Sequence, residues 1–424
     1  MGNSKIQATE DRGTKRRILL GALSFGDSFD GAALSSLLVA RMLEHDFDVT
    51  VLTGANGTSQ PQVHELHLGP LKAAVPMMLR LPMWAAGITR QVEKVIQEVR
   101  PDLIHLQDAN LSDPVIPVAR RLGVPVIVTL RDQWFIPSFR HDGRHDPSSQ
   151  LHHPGSRARA FMELFHWWRP VSWPLPLLLP WLYAKPARLK ALMEQATMLL
   201  PLSNYLRDAV IRCGIKTPCE MLMLVPMPDW PVRPLRNARP VRFLSVGRLV
   251  ERKGIHVLIQ AFRRVLSELP GAELTIAGDG PQRARLQKLA EREGCARQTR
   301  FLGHVPFAEI PRLYEDADIL VFPATFPEAA GRIALEAGMV GRPVIAARSG
   351  GLPEIIGTDC GVLVSPGAVD DLAAEMVALA RDPERQERLA RAAREQAVQF
   401  TFANLRGKLL DVYRRVLTGK VSTG

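Results

Sequence analysis

The run PATFPEAAGRIALEAGMVGRPVIAARSGGLPEI, residues 323–355, is the stretch on which the reading of this chain turns. It follows an apolar strand, Ile319-Leu320-Val321-Phe322, and opens as a loop that becomes a helix near Ala329–Arg332. It closes with a second strand, Pro343–Ala347, and a Gly-Gly-Leu-Pro turn. Two carboxylates, Glu328 in the loop and Glu336 on the helix, bracket the turn with seven residues between them. Ala329, Ala330, Gly331 and Arg332 supply backbone N–H groups at the helix N-terminus, where anions and hydroxyls are received. An anion cradle flanked by carboxylates suits a ligand that is part phosphate and part polyol.

The order strand, loop, Glu, small residues, Gly, helix, Glu, strand, Gly-Gly-Leu-Pro resembles the signature of the retaining family 4 glycosyltransferases. The resemblance implies a nucleotide-diphosphate sugar as donor. Glu328 would hydrogen-bond the sugar hydroxyls, the amides of Ala330, Gly331 and Arg332 would face the ligand, and Glu336 would hold the ribose hydroxyls.

Going backward along the chain, Asp316-Ala317-Asp318 mimics a DxD metal motif. It ends a helix (Ile310–Glu315) and leads straight into the apolar strand, so it reads as structural. Arg300–Val305 is a short strand whose Gly303, His304 and Val305 would line the base, by family analogy. Leu274–Gly278 is a strand ending in the tight turn Gly278-Asp279-Gly280-Pro281. Strand Val241–Val246 runs into Gly247-Arg248-Leu249-Val250-Glu251-Arg252-Lys253-Gly254 and then helix Ile255–Glu268. This resembles the family's G-R-L-x-x-x-K-G segment. There Gly247 would belong to the donor site, and Arg248 and Lys253 would stabilise the leaving diphosphate, as a divalent metal does elsewhere. The resemblance implies no bound metal and no cofactor.

The first half is less legible. Arg17–Ser24, a turn, helix Ala32–Glu44 and strand Val49–Thr53 form a β-α-β unit. The family places Gly-Gly beside the pyrophosphate in this first turn; here Asp30-Gly31 stands there, making Gly31 the candidate. Leu66–Thr89 reads either as an amphipathic helix or as an acceptor loop, and Pro76 and Pro82 argue against one continuous helix. His105, at a strand end, reads as structural. Strand Pro125–Leu130 leads to Arg131-Asp132-Gln133-Trp134-Phe135, which resembles a family segment with histidine in place of Arg131. Arginine cannot act as a base near neutral pH. Arg131 is left to bind phosphate, with Asp132 or the leaving diphosphate as proton acceptor.

Residues 139–153 carry four histidines and two aspartates without a ligand spacing, and read as a solvated basic loop. Residues 161–183 are apolar, interrupted by Pro170, Pro174, Pro176 and Pro180, and their uncharged part is shorter than the ~20 residues that a spanning helix requires. Five of the seven tryptophans fall between positions 134 and 181. Between Arg131 and Arg212, 11 Lys and Arg stand against 6 Asp and Glu. Tryptophans beside cations suit an anionic membrane surface.

The 424 residues suffice for two domains, and the charged (23%) and hydrophobic (46%) fractions are those of a globular protein. Cys213, Cys219, Cys295 and Cys360 form no CxxC and read as reduced packing residues. Met1–Arg17 lacks the apolar core of a signal peptide. The net charge of +11 calls for an acidic partner. No nucleic-acid motif accompanies it, leaving diphosphate donors and anionic lipid.

The expected architecture is α/β of the GT-B type: two Rossmann-like domains facing across a cleft, residues 1–228 (acceptor) and 229–400 (donor). Residues 401–424 form a helix crossing back to the first domain. The function this implies is retaining transfer of a hexose to a glycan, lipid-linked or other cell-envelope acceptor, in the cytoplasm, peripheral at the inner membrane face. The rival reading is a nucleotide-sugar-binding partner or sensor impaired at Arg131, and turnover separates the two.

Overall fold

The computed structural model describes residues 15–26, 31–54, 62–66, 77–107, 109–132, 187–232, 234–235 and 240–421. Asp30, the histidine-rich loop at 139–153 and the apolar segment at 161–183 lie outside them.

Strands β1 (Arg17–Ala22), β2 (Asp48–Thr53), β3 (Val63–Glu65), β4 (Leu103–Leu106), β5 (Val126–Leu130) and β6 (Met198–Pro201) form one sheet. It is parallel, in the order β3-β2-β1-β4-β5-β6. Strands β7 (Arg242–Val246), β8 (Glu273–Ala277), β9 (Thr299–Gly303), β10 (Ile319–Phe322), β11 (Val344–Ala347) and β12 (Val362–Val364) form the second. Its order, β12-β11-β10-β7-β8-β9, repeats the first, again with every pair parallel. Residues such as Ile18, Leu19 and Leu20 are buried on both faces of their strand, as parallel strands covered by helices require. In such sheets ligands bind beyond the carboxyl ends of the strands, where the order reverses. Those points lie between β1 and β4 and between β7 and β10.

On the first sheet pack α1 (Gly31–Leu43), α2 (Met77–Val99), α3 (Ser112–Arg121) and α4 (Asn204–Arg212). The second half carries α5 (Ile255–Glu268), α6 (Arg283–Arg292), α7 (Ile310–Asp316), α8 (Arg332–Met339), α9 (Leu352–Ile356), α10 (Val369–Arg381) and α11 (Pro383–Val398). The chain then ends in α12 (Phe402–Leu417), which returns to the first domain and lies against α1. It buries Leu405, Leu409, Val412, Tyr413 and Val416. Leu410 and Leu417, beside this stripe, are only half-buried. Arg406 Nε donates to Asp46 Oδ2 at 2.6 Å, and Arg415 Nη2 to Glu220 Oε2 at 2.7 Å.

The expectation against one continuous helix over Leu66–Thr89 fails at Pro82, while residues 67–76, with Pro76, lie outside the described residues. The helix α2 runs unbroken from Met77 through Pro82 to Val99. A proline inside a helix costs about 3 kcal/mol, but α2 also buries Ile88, Val92, Val95 and Ile96, each contributing about 1.5–3 kcal/mol. Burial wins because the proline sits near the N-terminal end and the packed face lies beyond it. Asp318 is structural as expected: its Oδ2 accepts from the Arg242 amide at 2.8 Å, tying the entry of β10 to that of β7. All four cysteines are free.

Candidate active site

The reversal point of the second sheet is where β7 delivers Gly247–Gly254 and β10 delivers Pro323–Glu328. The two loops touch. The Thr325 amide donates to the Arg252 carbonyl at 3.0 Å. Gly254 has φ +69°, and a Cβ there would lie 1.9 Å from the Pro323 carbonyl oxygen, so only glycine allows this approach. Lys253, just before it, donates from Nζ to Glu328 Oε1 at 2.8 Å and lies 5.1 Å from the centre of the Phe322 ring. Arg248 is exposed in the same loop.

Glu328 is held from the other side by the Gly-Gly turn. Its backbone pairs with Gly350, and the Gly351 amide donates to its carbonyl at 2.7 Å. Gly350 has φ +60°, and a Cβ there would meet the Glu328 carbonyl oxygen at 2.2 Å. Helix α8 begins at Arg332, with Gly331 as its cap residue, so the first amides of its opening turn have no partner within the helix.

Glu336 is buried, 5% exposed. Tyr314 donates its hydroxyl to Oε2 at 2.8 Å, and Arg332 Nε donates to Oε1 at 2.9 Å. Burial raises the Glu336 carboxyl above its usual range, while Arg332 and Tyr314 pull it back. Arg332 also reaches across to the first domain. Its Nη1 donates to Ser35 Oγ at 3.0 Å, and Ser35 donates to the Gly31 carbonyl at 2.7 Å. The Gly31 backbone faces the Arg332 stem, with 3.7 Å from an added Cβ to Arg332 Cδ. The guanidinium lies 5.8 Å over the Phe307 ring, and its buried Nη2 has no partner among the described residues. Gly303, at the end of β9, takes φ +78° and accepts from the Gly278 amide at 2.7 Å. His304 beside it is exposed and Val305 half-buried.

In the first domain the reversal point presents Gln107, just past β4, and Arg131, just past β5. Arg131 Nε donates to the Gln107 carbonyl at 2.6 Å, and its Nη2 bonds the Gln107 side-chain oxygen. Behind them His105 is fully buried, with Nδ1 2.6 Å from Tyr413 Oη and Nε2 2.7 Å from Thr129 Oγ1. Burial, with the Arg131 charge adding to it, lowers the His105 pKa to about 3, so the ring is neutral. His105 is structural, as expected. Asp132 is half-buried next to Arg131.

The structure therefore brings together Lys253 with Glu328, and Glu336 with Arg332 and Gly31. Arg131 is bonded into the network of its own domain. Gln107, Ser35 and Tyr314 were not singled out from sequence. Only Gln107 carried a signal, as the polar residue that ends an apolar strand.

Two families match. Residues 227–396 match "Glycosyl transferases group 1" and residues 31–222 match "Glycosyl transferase 4-like domain". The glycogen synthase of Mycobacterium tuberculosis is 29% identical over 338 residues, 78% of this chain and 73% of that protein. A GDP-mannose-dependent alpha-(1-6)-phosphatidylinositol monomannoside mannosyltransferase of the same species is 34% identical over 179 residues. That match takes in 40% of this chain and 46% of the mannosyltransferase. Among solved structures, Anabaena HepE in complex with UDP and glucose superposes with a TM-score of 0.70 at 19% identity, over 94% of this chain and 99% of that one. With a glycosyltransferase family on each half and the GT-B arrangement of its two parallel sheets, the chain belongs to the group 1 glycosyltransferases.

Proposed function

We propose that the protein transfers a hexose, with retention, from a nucleotide-diphosphate sugar to a glycan, lipid-linked or other cell-envelope acceptor. The observation that carries this reading is the Lys253–Glu328 pair at the reversal point, beside the open N-terminus of α8. Glu328 accepts hydrogen bonds from the sugar hydroxyls. Lys253, Arg248 and the amides of Ala330, Gly331 and Arg332 receive the diphosphate, with Gly31 and Gly247 leaving room for it. Glu336, oriented by Tyr314 and Arg332, takes the ribose hydroxyls. Gly303, His304 and Val305 flank the base.

The bond from the anomeric carbon to the diphosphate oxygen breaks, and its electron pair leaves with the diphosphate. The acceptor oxygen bonds to the same face of the sugar, and its proton passes to the departing diphosphate or to Asp132. Preorganised cations and amides suffice to stabilise the leaving charge, so the reaction needs no metal. Arg131 supplies charge but no base.

UDP-glucose occupancy of the HepE fold and the lipid acceptor of the mannosyltransferase support the donor and acceptor classes. Among the described residues no helix is long and apolar enough to cross a membrane. We place the protein in the cytoplasm, peripheral on the inner face of the membrane and held by its Trp- and Arg-rich segment. Arg131, bonded to Gln107 where the family has histidine, favours one alternative: a nucleotide-sugar-binding protein without turnover.

Purified protein should release one nucleotide from a panel of UDP-, GDP-, ADP- and dTDP-sugars. The rate should rise with lipid extract and be unchanged by EDTA. Tight nucleotide binding without release would establish the binder instead.

A further inference from the structure

The N-terminus of α4, in the first domain, is capped from the second domain. Glu354, in the middle of α9, accepts from the Asn204 amide at 2.7 Å and from Asn204 Nδ2 at 3.0 Å with Oε2. Its Oε1 accepts from the Tyr205 amide at 2.8 Å. Ser203, the local cap, serves only the third amide, accepting from Leu206 at 3.3 Å. The two segments also press together directly. A Cβ on Gly351 would lie 2.8 Å from Ser203 Cβ.

The same few residues hold Glu328. Gly350 pairs with its backbone, and the Gly351 amide donates to its carbonyl. A short path therefore runs from α4 through Glu354 and the Gly350-Gly351 turn to the Glu328 backbone. The proposed diphosphate and ribose contacts, Arg248, Lys253, Glu336 and the α8 amides, all belong to the second domain and do not pass through α4.

We propose that Glu354 is a positioning residue for the transfer. By capping α4 it fixes the sugar-binding Glu328 loop against the acceptor domain. It sets where the sugar stands relative to the acceptor without contributing to donor affinity. Charge-assisted bonds to two helix amides are strong and directional, which suits a register pin between domains better than an apolar contact would. This inference rests on the transferase reading for its rate measurement, but not for its structural one.

The test compares Glu354→Ala and Glu354→Gln with wild type in three measurements: kcat for transfer, nucleotide Kd by titration, and hydrogen exchange at residues 204–206. Misplacement of about 1 Å costs about 100-fold in rate, so Glu354→Ala should lose about 100-fold in kcat. Glu354→Gln keeps one acceptor oxygen and should recover part of that loss. Nucleotide Kd should stay within about twofold, and exchange at 204–206 should quicken. Wild-type kcat in Glu354→Ala, or a Kd that weakens in step with kcat in the soluble Gln variant, would overturn the proposal. If wild type turns over no donor, the transferase reading fails by itself. The pin is then judged on exchange alone: unchanged protection at 204–206 in both variants overturns it.

Discussion

Lys253 Nζ and Glu328 Oε1 meet at 2.8 Å although 75 positions separate them, and both side chains are partly open to the cleft. The pair is part-buried, so truncating either partner leaves the other short of a hydrogen bond and should cost about 1–3 kcal/mol of stability. Lys253→Ala and Glu328→Ala should each lose about 100- to 1,000-fold in kcat, the usual cost of removing one transition-state contact. Urea midpoints should fall only by the stability lost with the pair, leaving a folded protein whose rate can be read. A normal rate in either variant removes that residue from the site.

His105 sets a pH dependence of stability. Its folded pKa, lowered to about 3, lies below the ordinary 6.5. The unfolded chain therefore binds the proton first as pH falls. Stability is complete above about pH 6.5 and declines on acidification at about 1.4 kcal/mol per pH unit down toward the folded value. Denaturant unfolding between pH 7 and 5 reads this slope directly. In His105→Gln the slope should flatten by about that amount, and an unchanged slope would mean that the ring is not buried neutral.

Arg342 is 1% exposed and donates to the carbonyls of Tyr314, Glu315, Val340, Gly341 and Pro234. It fastens Pro234 to α7 and to the turn after α8. Each buried carbonyl left without a donor costs about 1–3 kcal/mol. Arg342→Met should therefore lose at least about 3 kcal/mol in urea unfolding. Arg342→Lys should recover little, because one ammonium cannot span the fork of a guanidinium. A loss below about 1 kcal/mol would contradict this role.

Of the contacts that fasten α12 to the first domain, two differ most in weight. Arg406 to Asp46 is a surface ion pair and should be worth less than about 1 kcal/mol. Tyr413 is fully buried, bonds His105 and packs 5.5 Å from the Phe47 ring. Tyr413→Ala should cost about 3–5 kcal/mol, with Tyr413→Phe losing only the hydrogen bond. Thermal unfolding of the three variants ranks them. An Arg406→Ala as damaging as Tyr413→Ala would reverse the assignment.

What could be read from sequence was local. The β10–loop–α8 passage, the Gly247–Gly254 loop and the β-α-β opening are contiguous runs whose apolar spacing and glycines dictate their own backbone. The doubly wound order follows once both halves alternate strand and helix. His105 could be judged structural because a histidine ending an apolar strand sits in the core. Pro82 misled because a local propensity was outweighed by burial further along α2.

The remaining features rest on partners far apart in the chain. Arg332 finds Ser35 across 297 positions, Tyr413 finds His105 across 308, and Glu354 finds Asn204 across 150. No periodicity encodes such pairings. They exist because the second half packs against the first and α12 returns to the first domain beside α1. The sequence by itself determined the family, the two α/β halves and the chemistry available at the donor loops. Only the tertiary structure decided which charges meet. It turned Arg131 onto Gln107, placed Arg332 against Gly31 and set Glu354 on α4, because a buried or half-buried charge takes whichever acceptor or donor the packed fold brings within reach.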